Sequence, residues 1–188
     1  TGHVRISGIP VPQDVYKEDL QRLMQQVQYF QPDNIIFTGD LFHSFENLEH
    51  ALFAKWRKNI SADSIHLVKG NHDLLSKKVY EELGIVLHEN IYTLGPFVFV
   101  HDLNTATGDS AKGYRISGHI HPGVRISGQG KQSLKFPCFY FSEKHAIMPA
   151  FSKFTGFVLI EPLKGDNVFA IVKGNIAKGE KTTLVKIQ

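Results

Sequence analysis

The stretch Asn34-Ile35-Ile36-Phe37-Thr38-Gly39-Asp40 gives the clearest indication of the fold class of this chain. A short apolar run followed by a glycine and a carboxylate is typical of a strand buried on both faces that ends in a turn. A second such run, residues 64–68, leads into Gly70-Asn71-His72-Asp73. Apolar residues at helical spacing predict helices over 14–30 and 47–58. Apolar strands separated by helices indicate an α/β protein with a parallel inner sheet.

The composition is that of one globular domain. The chain has 188 residues, of which 42% are hydrophobic and 21% charged, so a disordered or fibrous protein is excluded and one domain, 1–188, is expected. No apolar run approaches the roughly 18 residues of a membrane-spanning helix, so we expect no membrane partner. The single cysteine, Cys138, cannot form an internal disulfide; this agrees with a reducing compartment, and we expect a cytoplasmic location.

The second half of the chain is predicted to be mostly β. After a short helix over 77–83, short apolar runs alternate with Gly, Pro or Asn. The predicted strands cover 85–87, 91–94, 97–100, 114–117, 124–127, 134–141, 156–160, 167–172 and 182–187. The polar stretch 102–113 is the best candidate for a mobile loop.

Basic residues concentrate in the segment from Ala111 to Thr155. It contains seven basic residues and one acid, a net charge of +6 in a chain whose total is +3. A solvated surface explains such a run, and a field that attracts phosphate groups is the alternative. The nearby Phe139, Tyr140 and Phe141 are interpreted as core residues of a strand, with base stacking as the alternative.

Four predicted strands end in side chains that bind metals or transfer protons. In chain order these are Asp40, then Asn71, His72 and Asp73, then His101, and finally His119 and His121. Ligands of an open α/β sheet bind beyond the carboxyl ends of its strands, so we expect these groups to meet. Each has an ordinary structural explanation on its own, as a turn residue or a core histidine. Together they indicate a metal site.

The donor types restrict the metal and the reaction. Nitrogen and oxygen donors without a thiolate suit Mn, Fe, Zn, Ni or Co, whereas an all-oxygen Mg or Ca site does not fit. A carboxylate at Asp40 bridging two ions about 3.5–4 Å apart would suit a two-metal hydrolase that displaces a phosphoryl group. His72 could then act on the leaving oxygen, with Asp73 orienting it.

These motifs resemble those of a known family. Gly39-Asp40, Gly70-Asn71-His72-Asp73, His101 and Gly118-His119-x-His121, in this order, resemble the calcineurin-like metallophosphoesterases over nearly the whole chain. Three longer stretches, 39–44, 121–139 and 149–156, are similar to a narrower branch, the DNA ligase-associated metallophosphoesterases.

The resemblance implies a four-layer α-β-β-α sandwich with a dinuclear site at the strand ends. It makes Asp40 the bridging ligand, completes one site with Asn71, His101 and His119, and gives His121 to the other. It also implies that His72 contacts the scissile phosphate, and that two divalent ions, commonly manganese, are bound. The branch is linked to phosphodiester and single-stranded DNA cleavage, which implies a functional association with DNA ligase and helicase repair proteins.

One family motif is absent from residues 1–188. The first motif, an Asp-x-His at the end of the first strand, supplies two metal ligands, but His3 follows Thr1 where the motif requires an aspartate. We expect the motif and the first strand to lie upstream of Thr1; loss of the motif is the alternative. The leading hypothesis is a metal-dependent phosphodiesterase with single-stranded DNA nuclease activity. The alternatives are a phosphomonoesterase and a non-catalytic scaffold that binds a protein partner.

Overall fold

The computed structural model describes residues 13–42, 47–105, 112–128, 132–174 and 181–187. The helices are α1 (Gln13–Phe30), α2 (Asn47–Arg57) and α3 (Lys77–Glu82), and a 3₁₀ turn covers Leu103–Thr105. The strands are β1 (Asn34–Phe37), β2 (Ser64–Val68), β3 (Val86–His88), β4 (Ile91–Leu94), β5 (Phe97–Val100), β6 (Tyr114–Ser117), β7 (Pro122–Ser127), β8 (Ser133–Phe141), β9 (His145–Ile147), β10 (Val158–Leu159), β11 (Asn167–Val172) and β12 (Thr183–Lys186). Residues 106–111 of the candidate loop lie outside the described residues.

A small parallel sheet carries the first half of the chain. Its order is β1-β2-β3, and Ile35 of β1 is in register with Ile65 of β2. The fully buried Ile65 and Leu67 pack against Phe53 of α2 and Tyr80 of α3, and α1 covers the same cluster. Within the described residues, all three helices pack against this sheet. The predicted parallel inner sheet is therefore confirmed.

A larger mixed sheet of nine strands is formed by the second half of the chain. Its main path runs β10-β7-β8-β9-β6-β5-β4, and β11 pairs with both β8 and β12. The fully buried Cys138 of β8 lies in its core with Val168 and Ala170. Tyr140 also packs on this core, while Phe139 and Phe141 stack on each other and are half-buried. The core interpretation is therefore supported for Tyr140, whereas Phe139 and Phe141 are only partly buried.

The mixed α/β fold is as expected, and the largest differences of detail concern three strands. Strand β9 was not predicted, because its three residues have no pattern of their own and are held by pairing with β6 and β8. Strand β7 begins at Pro122 instead of 124. Strand β10 has only Val158 and Leu159 of the predicted 156–160, because only these residues pair with β7. In the part of the chain that is described, none of the helices is both long and apolar enough to cross a membrane.

Candidate metal centre

The loops after β1 and β2 approach each other so closely that both need a glycine. A Cβ on Gly70 would lie 2.6 Å from the backbone nitrogen of Asp40, and a Cβ on Gly39 would lie 2.8 Å from Cγ of His101. Gly39 also has a φ of +101°, a backbone conformation that residues other than glycine rarely adopt. The two glycines thus let the Asp40 carboxylate and the His101 ring pack directly against backbone.

His101 is held in one tautomer by the loop after β1. Its Nδ1 lies 2.8 Å from the carbonyl oxygen of Thr38, which can only accept, so Nδ1 carries the proton. In the neutral ring, Nε2 is then the nitrogen available to a metal. It faces Oδ1 of Asn71 at 3.0 Å and Oδ2 of Asp40 at 3.6 Å. A backbone carbonyl behind the ring is the usual way to fix a metal-binding histidine.

A ring nitrogen of His119 also faces Nε2 of His101. Its Nδ1 lies 2.9 Å from Nε2 of His101, and its Nε2 lies 3.9 Å from a carboxylate oxygen of Asp102. The side chain is exposed, whereas His101 is buried. Asp102 follows His101 directly in the sequence, so its position behind His119 could have been suspected from the strand end alone.

Three of the predicted ligands have left-handed backbones. The φ angles are +55° at Asp40, +61° at His119 and +47° at His121. Such conformations cost on the order of 1–3 kcal/mol for residues other than glycine and cluster at functional sites. The chain therefore accepts a loss of stability in order to orient these side chains at the ends of β1 and β6.

The donor atoms fit a divalent cation. One atom each of Asp40, His101 and His119 lies within 4.8 Å of the others, and the Asn71 oxygen joins them beside His101. The carboxylate and the amide oxygen can only accept hydrogen bonds, and Nε2 is the accepting nitrogen of a neutral His101 ring whose Nδ1 is protonated. A cation would satisfy all of them at once. His121 lies outside this group of three, at the start of β7, and its role as a ligand stays a prediction.

His72 and Asp73 differ sharply in exposure. The His72 side chain is exposed, and its backbone N–H donates to Oδ1 of Asp40 at 2.9 Å. Asp73 is fully buried, and its carboxylate accepts from the backbone N–H groups of Asp40, Leu41, Phe42 and Gly70 at 2.7–3.4 Å. Asp73 therefore ties the loops after β1 and β2 together. Its predicted effect on the orientation of the His72 ring stays a prediction.

An open cleft of about 380 Å³ lies beside the donors. Asn71, His101 and His119 line it, together with Lys69, whose Nζ lies 2.9 Å from a Glu89 carboxylate oxygen. A second cleft of similar size, about 360 Å³, is lined by Arg115 and Lys144 of the basic segment and lies elsewhere. Arg115 and Lys144 of the predicted basic segment therefore do not line the cleft beside the donors.

A family match and a structural similarity identify this protein as a hydrolase that acts on phosphoester bonds. The model of the calcineurin-like phosphoesterase family matches residues 13–138. The chain belongs to this family, which implies divalent metal ions as cofactors. Among solved structures, it is similar to the crystal structure of the Pseudomonas putida nuclease MPE, with 25% identity and a TM-score of 0.72, over 87% of this chain and 79% of that chain. No curated protein sequence matches the chain significantly.

Proposed function

We propose that this protein is a metal-dependent phosphodiesterase that cleaves single-stranded DNA and uses two divalent transition-metal ions, with Mn²⁺ as the first choice. One observation carries the proposal. Oxygen atoms of Asp40 and Asn71 converge on Nε2 of His101, beside a cleft that is open to solvent.

In this proposal the Asp40 carboxylate would be a ligand of both ions. Asn71, His101 and His119 complete one metal site, and His121 serves the other. When bound, the ions polarise the phosphoryl oxygens and activate the attacking water. The chain itself keeps the donors in place: the Thr38 carbonyl fixes the His101 ring, and the backbone N–H of His72 holds one carboxylate oxygen of Asp40.

His72 holds the proton that the leaving oxygen takes up. It directly follows the ligand Asn71, its side chain is exposed, and imidazole is the side chain most often used as a general acid. Asp73 orients His72 through the backbone, because its carboxylate holds the same loop at Gly70. His72 therefore acts on substrate, and Asp73 is a positioning residue.

The substrate is assigned from two observations. The similar Pseudomonas putida protein is named a nuclease, which favours a polymeric phosphodiester over a monoester. The motif stretches 39–44, 121–139 and 149–156 favour the DNA ligase-associated branch. With that branch we also propose a cytoplasmic location and a functional association with DNA ligase and helicase repair proteins.

Hydrolysis of a small chromogenic diester by the intact protein tests this proposal. With added Mn²⁺ we expect turnover of bis(p-nitrophenyl) phosphate. His72→Ala is expected to keep its metal and lower kcat by about 10²–10⁴-fold, the usual contribution of a positioned proton donor. His66→Gln, a histidine of β2 outside the cleft, is the matched control and should keep full activity.

Other outcomes would support the alternatives. Loss of metal from His72→Ala would make His72 a ligand instead of an acid. Faster turnover of p-nitrophenyl phosphate than of the diester would indicate a phosphomonoesterase. A protein that binds metal but hydrolyses neither compound would be a scaffold.

A further inference from the structure

An aromatic segment runs directly past the predicted ligand His121. Residues 151–157 lie between β9 and β10, and β10 pairs in parallel with β7. The backbone N–H of Val158 donates to the carbonyl oxygen of His121 at 3.0 Å. Phe157, the residue before Val158, is thereby fixed beside His121, which the proposed function makes a metal ligand.

The Phe157 ring packs so closely on β7 that the residue beneath it must be a glycine. A Cβ on Gly123 would lie 2.7 Å from Cε2 of the Phe157 ring, so only glycine fits at this position. Although one side of the ring is packed in this way, 37% of Phe157 remains exposed. Phe154, three residues earlier, is 61% exposed. The segment thus exposes aromatic rings to solvent. Phe157 lies over Gly123, which is two residues after His121 in the sequence.

Two positive charges continue the same face of β7. Side chains alternate along a strand, so Arg125 projects to the same face as Gly123. Lys135 of β8 is its direct cross-strand partner. Both residues are exposed, and neither has a carboxylate within 4 Å among the described residues. Like charges directly opposite each other destabilise a sheet, which makes an anionic ligand the natural counterpart of this pair.

We infer that this face of β7 binds single-stranded DNA beside the cleaved bond, with a base stacked on Phe157 and backbone phosphates at Arg125 and Lys135. The inference rests on the proposed function, since it concerns the substrate of the same site. Arg125 lies four residues beyond His121, roughly 13 Å along an extended strand, so the contact requires a substrate longer than one diester. Exposed rings stack on unpaired bases, which favours a single strand over a duplex.

Two variants test the two halves of this surface. Phe157→Leu keeps an apolar side chain over Gly123 but removes the aromatic face, and we expect it to weaken binding of a labelled oligothymidylate by about 5- to 100-fold. Arg125→Gln with Lys135→Gln should reduce the slope of log affinity against log salt by about 0.7 for each charge removed. The second variant keeps the inference testable if the first does not fold.

Controls separate this inference from the proposed function. Phe97→Leu removes an exposed ring at β5, and Lys144→Gln removes a charge at the separate cleft; neither should change DNA binding. Turnover of bis(p-nitrophenyl) phosphate should be the same in all four variants and the unaltered protein. No turnover in the unaltered protein would contradict the proposed function. Turnover with DNA affinity and salt slope unchanged by the surface variants would overturn the inference and leave this face to another partner.

Discussion

Two pairs of histidines in this molecule have the same distance between their ring nitrogens but different neighbouring groups. In one, His119 and His101 place ring nitrogens 2.9 Å apart. In the other, His66 of β2 and His88 of β3 also place ring nitrogens 2.9 Å apart. We call them the strand-end pair and the in-strand pair. Short nitrogen–nitrogen distances alone therefore do not identify a metal site.

The neighbours of the two pairs make the difference. The in-strand pair meets hydroxyl groups, because Ser64 and Tyr92 lie 2.9 and 3.4 Å from Nε2 of His66 and each can donate a proton. Tyr92 of β4 also packs on both rings: it is stacked on His66 and tilted against His88, with centroids 4.2 and 4.3 Å away. This pair is satisfied by the protein and joins the two sheets. The strand-end pair instead meets the oxygens of Asp40 and Asn71, which only accept at the atoms involved.

Removing the carboxylate of the strand-end pair should give the largest effect. Asp40→Asn is expected to lose bound metal and about 10³-fold or more in turnover, since a bound ion contributes several kcal/mol to transition-state stabilisation. Metal analysis and diester hydrolysis measure both. His66→Gln, in the other pair, should change neither. Metal lost from His66→Gln would mean that the in-strand pair also binds an ion and that the comparison is wrong.

A glycine substitution should disturb the geometry of the strand-end pair and leave the in-strand pair unchanged. In Gly70→Ala the new Cβ would meet the Asp40 backbone, and overpacking of this kind costs about 1–3 kcal/mol. We expect Tm to fall by about 2–4 °C for each kcal/mol. Gly128→Ala, where nothing lies within 4 Å of the new Cβ, is the control. Equal Tm values for the two variants would show that the loop relaxes freely.

Acid should weaken the in-strand pair, with the smallest effect of the three. Burial lowers the pKa of His66, and burial together with the neighbouring His66 lowers the pKa of His88. The unfolded chain, whose histidines titrate near pH 6.5, then binds more protons than the folded one, so stability falls as pH decreases below about 6.5.

We expect the double variant His66→Gln and His88→Gln to flatten the dependence of Tm on pH between about 5 and 7, by on the order of a few °C. Thermal unfolding in the presence of a chelator measures this without a contribution from bound metal. An unchanged pH dependence would mean that other groups, such as the half-buried His145, whose pKa burial also lowers, account for it.

The sequence predicted the parts of the molecule that depend on local pattern. The apolar runs of β1 and β2 and the polar groups that follow them were found because a buried strand and its carboxyl end leave a direct trace in the chain. What could not be predicted depends on distant partners. Strand β9 exists only through its pairing with β6 and β8. The tautomer of His101 depends on the Thr38 carbonyl, 63 positions away. The left-handed backbone of Asp40 has only a weak signal in its residue type, because Asp is enriched in that conformation but adopts it rarely.

The buried Asp73 carboxylate has a consequence for how the protein acquires its metal. Its four hydrogen bonds join the loops after β1 and β2 using protein groups alone, so this part of the frame does not need an ion to form. In many small metal sites binding and folding are one event, and the chain collapses when the ion is removed. Here we expect the two loops to stay in place when an ion leaves or is replaced. Which divalent metal occupies the centre in the cell is then decided by supply, within the limits that nitrogen and oxygen donors set.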